Sequence, residues 1–401
     1  MRILYINTLY PPYIGGGAEI TLSNLANGLF QRGHETAILT TQGNRGLKKS
    51  VENGLTIYRS GIRNIYWHFS SSEQPSWKRL LWHAIDSYNP LAGYDIRRVI
   101  DEFRPDVISC HNLSGFSVAA WIEAANAKVP IIQVLHDHYA ICPKATMFKN
   151  GHICEKPCVS CTILRLPHAQ ASNKLSAVVG VSQAILDRHL QAGLFSDVPI
   201  KRIIYNQRTL SPPKKPTSRT QGTLTFGFMG SLTVIKGVAP LAEAFLSIAA
   251  QSKQPVRLLI GGTGRDEYVA ELKRRYASDS ILFLGQVDPA AFLNEIDVCV
   301  VPSIVNEAQS MVVAESLGFG VPVIGAKRGG IPEMIQHEKN GLIYNPDEPY
   351  ALNAAMLRVI EYPELLAELR KNAVPSASNF VNEDQMINEH DLLYREILGV
   401  G

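Results

Sequence analysis

Short apolar runs alternate along the chain with longer amphipathic stretches. Ile3–Ile6 has the make-up of a buried strand. Leu22, Leu25, Ala26 and Leu29 then fall at i, i+3, i+4 and i+7, the spacing of one helix face, and Gly33 stands where such a helix ends. Further strand-like runs are Thr36–Leu39, Val107–Ser109, Ile131–Leu135, Ala177–Val181 and Arg202–Tyr205. The stretches between them are long enough for crossover helices, which is the pattern of parallel βαβ units. From Arg208 to Gly222 the periodicity stops, and RTLSPPKKPTSRTQG reads as an exposed linker. The alternation resumes with Thr223–Met229, Val256–Ile260, Ile281–Leu284, Val298–Val301, Val321–Ile324 and Leu342–Tyr344. The pattern therefore predicts an α/β protein with two Rossmann-like, doubly wound parallel-sheet domains, 1–207 and 223–378, facing across a cleft. A tail, 379–401, is helical in character over Glu383–Leu398. Ligands of such sheets bind where the strands end and the helices begin.

Composition narrows the function. The 401 residues carry 39 Lys+Arg against 36 Asp+Glu, a balance without the basic excess of a nucleic-acid binder. With 46% hydrophobic and 19% charged residues the chain is too apolar for disorder. No apolar run approaches the ~20 residues of a membrane span. The opening Met1-Arg-Ile-Leu-Tyr-Ile-Asn breaks at Pro11-Pro12 and reads as a first strand, not as a signal peptide, so the expected location is cytoplasmic. Six cysteines are too few for a disulfide scaffold.

Candidate chemistry gathers at the strand ends. Gly15–Gly17 follow the first strand and open a helix. There the backbone can approach a ligand closely, and free N–H groups favour a phosphate. His111 and His136 each close a strand, where an imidazole can bind a hydroxyl or share a proton. Gly230-Ser231 and then Lys236-Gly237 follow another strand, a setting that suits a pyrophosphate. Leu259-Ile-Gly-Gly-Thr-Gly264, with Gly262 at its centre, ends the next strand. Glu307 and Glu315 stand eight positions apart, before and within an apolar helix whose start, Ser310-Met311-Val312, offers bare N–H groups. A carboxylate such as Glu315 on so apolar a segment needs a partner, and ligand hydroxyls such as a ribose diol fit.

With these motifs the chain resembles retaining glycosyltransferases of the GT-B fold, the family called family 4 or group 1. The Gly-Gly-Gly loop, Gly230…Lys236-Gly237, Leu259–Gly264, Glu307…Glu315 and Gly329-Gly-Ile-Pro-Glu…Asn340-Gly-Leu-Ile-Tyr occur in the family's order. The resemblance implies a nucleotide-diphosphate sugar donor, UDP- or GDP-linked. It implies a saccharide or lipid-linked acceptor of bacterial surface-glycan synthesis, and no cofactor for catalysis. Gly16 and Gly17 are expected near the donor's phosphates or sugar, and His136 at the donor sugar. Lys236 is expected to neutralise the diphosphate leaving group. Glu307 would lie by the transferred sugar, Glu315 at the ribose, and the amides of Met311 and Val312 on phosphate. Gly230, Ser231, Gly262 and Ser310 complete the expected donor site. The tail is expected to cross back onto the first domain. Two departures stand out. Ser231 replaces a common arginine, for which Arg265 is a candidate substitute, and Ser310 replaces a usual glycine. Rival readings are an epimerase or phosphorylase of the same fold, or a non-catalytic scaffold that binds nucleotide-sugars. The set His136, Lys236, Glu307 and Glu315 speaks against the scaffold.

Two features lie outside that pattern. Cys142, Cys154, Cys158 and Cys161 read as C-x11-C-x3-C-x2-C, a candidate structural zinc site with His152 and His168 as spare ligands. Trp77, Lys78, Arg79 and Trp82 form a stretch that suits peripheral contact with an anionic inner membrane, or else a helix whose Trp residues pack internally.

Overall fold

The computed structural model describes residues 1–69, 74–210 and 222–400. Most of the expected linker, 211–221, lies outside the described residues. The chain forms two compact units, Met1–Asn206 with Glu383–Gly401, and Gln207–Asn382. No helix among the described residues is long and apolar enough to cross a membrane.

The first unit is built on an eight-stranded sheet. Its spatial order is Ile200–Ile203, Ala177–Gly180, Ile131–Leu135, Val107–Cys110, Arg2–Ile6, Glu35–Thr41, Leu55–Ser60 and Leu47–Glu52. All pairings are parallel except the last, where Leu47–Glu52 runs antiparallel to Leu55–Ser60 at the sheet edge. The central strands are buried on both faces, so they read as unbroken apolar runs. Ile3, Leu4, Tyr5 and Ile6 are fully buried. The order reverses between Arg2–Ile6 and Val107–Cys110, which opens a crevice at the carboxyl ends of these strands.

The tail is part of this unit. Its helix, Glu383–Leu398, packs on the helix Gly17–Gln31. A methyl on Gly28 would come within 2.3 Å of Ile387 Cδ1, so the glycine lets the two helices close up. Asn24 donates to Glu383 at 2.9 Å, and His34 meets Asp391 at 3.0 Å.

The second unit is a six-stranded, all-parallel sheet. Its order is Ile281–Gly285, Val256–Gly261, Leu224–Met229, Val298–Val301, Val323–Ala326 and Gly341–Tyr344. The reversal falls between Leu224–Met229 and Val298–Val301. Phe226, Leu241, Phe245, Leu258, Ile260 and Val300 belong to the core that holds helices against this sheet.

Burial sets the titration of the first unit. It holds His34, His68, His83, His111, His136, His168, His189 and His390 below the ordinary histidine value, His68, His83 and His136 at about 4. These rings stay neutral in the folded chain while the unfolded chain takes up protons below about pH 6.5. Their contribution to stability is complete above 6.5 and is lost as the pH falls toward 4. Burial also raises Asp86 to about 7, Asp137 to about 6, and Glu19, and these oppose the trend because the folded chain holds their protons. Histidines outnumber them, so the urea midpoint is expected to rise between pH 4.5 and 6.5. A midpoint that falls over that range would show that the carboxyls dominate.

Candidate active site

In the second unit the candidate residues follow the strands beside the reversal. Lys236 closes a single 3-10 turn, Val234–Lys236, in the loop after Leu224–Met229. Glu307 follows Val298–Val301, the neighbouring strand. Lys236 Nζ lies 2.8 Å from Glu307 Oε1, and Ser303 Oγ donates to the same oxygen. Glu307 is held in place from behind. Gly329 has φ +54°, and a methyl on it would lie 2.0 Å from the Glu307 carbonyl oxygen, which also accepts from Gly330 N–H at 2.8 Å. Arg328, just before them, donates to the Ile304 carbonyl at 3.2 Å and is ion-paired with Asp347.

Ser310 is buried as the N-cap of the helix Met311–Gly318. Met311 and Val312 form its first turn, whose N–H groups have no intrahelical acceptor. Glu315, in the same helix, is buried and ion-paired with Arg208. Burial raises its carboxyl, and Arg208 pulls the other way. Arg208 falls in the stretch whose composition reads as linker, so nothing in the sequence announces this pairing.

Gly230 and Gly262 are held against each other. A methyl on Gly262, whose φ is +142°, would sit 1.8 Å from the Gly230 carbonyl oxygen. Ser231 is exposed, as is Arg265 at the cap of the helix Asp266–Tyr276.

In the first unit His111 and His136 end neighbouring strands and meet. His111 Nδ1 is 2.8 Å from His136 Nε2. Burial is the main cause that keeps both rings neutral at pH 7. Asp137 accepts from Tyr139 N–H at 2.7 Å. Tyr139 donates its hydroxyl to buried Asp86 at 2.5 Å, and Arg165 stacks 4.1 Å over the Tyr139 ring. This network ties the turn after His136 to the helix Val159–Ala171. At the first strand, Gly16 is extended and donates its N–H to buried Glu19 at 2.8 Å, and Gly17 begins the helix.

The model for Glycosyltransferase Family 4 matches residues 15–206, and that for Glycosyl transferases group 1 matches 223–362. A Klebsiella pneumoniae protein described as an uncharacterized 42.6 kDa protein in the cps region is 30% identical over 83% of this chain and 87% of its own length. The chain belongs to glycosyltransferase family 4. The structure of this glycosyltransferase is similar to sucrose-phosphate synthase from Thermosynechococcus elongatus, at TM-score 0.77 and 18% identity over 99% of both chains. It is also similar to Anabaena HepE in complex with UDP-glucose, at TM-score 0.72 and 21% identity over 99% of this chain and 100% of that one. Its fold is thus the GT-B fold.

One expectation, the zinc site, finds no support. All four clustered cysteines are free, and Cys158 Sγ lies 3.3 Å from Cys161 Sγ and 3.2 Å from Ser160 Oγ. Among the described residues no group of three or more His, Cys, Asp or Glu is disposed to hold a metal ion, so the zinc reading of Cys142, Cys154, Cys158 and Cys161 is unsupported. Cys142 is buried in the turn after the His136 strand, while the other three are half-buried on the segment that follows. His168 is packed between Trp121 and Tyr139, out of reach as a spare ligand. The tryptophans also part company. Trp82 is buried and donates to the Tyr66 carbonyl at 3.0 Å, whereas Trp77 is 63% exposed beside exposed Leu80 and Leu81.

The glycines separate a packing role from an open one. Gly262→Ala puts a methyl into backbone that has no side chain to yield, and is expected to destabilise the chain by at least about 2 kcal/mol. Gly16→Ala, with no atom within 4 Å of the added carbon, should change stability by less than about 0.5 kcal/mol. Urea denaturation of the two variants checks the contrast, and equal effects would contradict the packing role of Gly262.

Proposed function

We propose that this glycosyltransferase transfers a sugar, with retention of anomeric configuration, from a UDP- or GDP-sugar to a saccharide or lipid-linked acceptor of a bacterial surface glycan. The observation that carries the donor reading is the Lys236–Glu307 contact, 2.8 Å long, at the carboxyl ends of the two strands that flank the reversal in the second unit. The Lys236 ammonium there can exchange its carboxylate for a diphosphate. The first-turn amides of Met311 and Val312, with the positive end of their helix dipole, supply further charge for phosphate oxygens. Glu315 then serves the nucleotide ribose and Glu307 the transferred sugar. Gly230, Ser231, Gly262 and Ser310 shape the donor's pocket, and Gly16 and Gly17 are the first unit's candidates for contact with a phosphate or sugar. HepE, whose fold this chain shares, has been solved with UDP-glucose, and the Klebsiella relative lies in a cps region. These support the donor class and the glycan setting.

On this reading the transition state is loose, with positive charge growing at the sugar and negative charge on the leaving diphosphate. Lys236 and the helix N-terminus stabilise the latter, and the acceptor is held on the face the leaving group departs from. These groups supply the positive charge that a metal ion would otherwise bring, so transfer is metal-independent. His136 is the first unit's candidate for contact with a sugar. The exposed row Trp77, Leu80 and Leu81, flanked by Lys78 and Arg79, suits peripheral contact at the cytoplasmic face of the membrane, where a lipid-linked acceptor would be met.

The test is a thermal-shift panel of UDP-, GDP- and ADP-sugars. A ligand at 100 times its Kd stabilises the folded state by about 2.7 kcal/mol, so the correct donor raises Tm clearly. Lys236→Ala and Glu315→Ala are expected to remove that shift, and Lys236→Ala to lower kcat about 100-fold. EDTA should leave the rate unchanged. No shift with any nucleotide sugar, or a shift that survives both substitutions, would contradict the donor site described.

A further inference from the structure

His136 does not stand alone at its strand end. Its ring and that of His111 meet edge to edge and nearly coplanar, with centroids 5.1 Å apart and planes 19° from parallel. The contact between them, His136 Nε2 to His111 Nδ1 at 2.8 Å, is a hydrogen bond in which only one nitrogen can carry the proton. On its far side His111 Nε2 is 3.2 Å from Ser109 Oγ, so both nitrogens of this 3% exposed ring are engaged. His136 Nδ1, in contrast, is buried and has no partner. A third ring, His390 from the tail helix, lies close enough to add to the cost of charging His111, and His136 adds to the cost of charging His390.

Two neutral arrangements satisfy the pair. If His111 donates, the proton of His136 sits on Nδ1 and becomes a buried N–H without an acceptor. If His136 donates from Nε2, its Nδ1 is a bare lone pair, and His111 passes its own Nε2–H to the Ser109 hydroxyl oxygen. Orphaned N–H groups are the rarer fault in folded proteins, so the second arrangement is favoured. A buried lone pair with no donor is in turn a place for a ligand's O–H.

We propose that His111 is a positioning residue that fixes His136 as the Nε2–H tautomer, leaving Nδ1 to accept a hydrogen bond from a hydroxyl of the sugar substrate. The hydroxyl part rests on the glycosyl-transfer reading. The tautomer does not.

The experiment is a long-range 1H–15N correlation on protein with 15N-labelled histidine, with His136→Gln to assign the signal. The wild type should show His136 protonated at Nε2 and bare at Nδ1. His111→Asn, which sets an amide oxygen close to where Nδ1 sat, should keep that pattern, while His111→Leu should lose it. With an active donor, His111→Leu should lower kcat about tenfold and His111→Asn change it little. A donor lacking the contacted hydroxyl should erase the difference. An Nδ1–H signature for His136 in the wild type would overturn the proposal, as would a His111→Leu protein that melts normally with the His136 signal and kcat unchanged. Should His111→Leu fail to fold, the wild-type spectrum and His111→Asn decide. The expected tautomer in a protein that transfers no sugar from any donor would overturn the glycosyl-transfer reading and the hydroxyl contact, and leave the role of His111 in place.

Discussion

A carboxylate removed from water must find a positive charge or give up its own, and the second unit is organised around that demand. Glu307 and Glu315 both sit where an apolar helix follows a buried strand, and each holds a cation, Lys236 and Arg208. Stripping a buried carboxylate such as Glu315 of its cation costs about 3–5 kcal/mol, and the two pairs help to hold the loop after Leu224–Met229 and the start of Met311–Gly318. The arrangement also stores a response. On the proposed reading a diphosphate competes for Lys236 and a ribose diol for Glu315, and each incoming group replaces one charged or polar partner by another.

The first unit answers the same demand in the opposite way. It keeps most of its buried histidines neutral and links two of them by a shared proton, so His136 meets its ligand as a fixed dipole instead of a charge. A buried cluster of Arg165, Asp86 and Tyr139 lies behind the turn that follows His136. That network is fully enclosed, with Asp86 inaccessible to solvent, and its part is to hold the turn.

Much of this was legible in the residues because parallel strands announce themselves. The run Ile131–Leu135 is a strand over the same residues, and Ile3–Ile6 gains only Arg2. The antiparallel edge, Leu47–Glu52 with Leu55–Ser60, was missed although Asn53-Gly54 between them is a hairpin signal. Lys48, Lys49 and Arg59 break the apolar pattern there, as edge strands require. Glycine spacing and the two glutamates marked the second unit's site, but their partners came from afar: Arg208 is 107 residues from Glu315, and Lys236 is 71 from Glu307. Periodicity carries no information about such pairs. It likewise could not separate Trp82, turned inward, from Trp77, turned outward five positions before it.

The account stands on donor binding at the carboxyl ends of the second unit's sheet. Hydrogen exchange read by mass spectrometry, with and without a saturating UDP- or GDP-sugar, addresses that directly. The expected result is slowed exchange in the peptides that span 229–237, 261–265 and 303–316, with the outer strand Ile281–Gly285 unaffected. Protection confined to the first unit, or none in the segments that carry Lys236, Glu307 and Glu315, would contradict it.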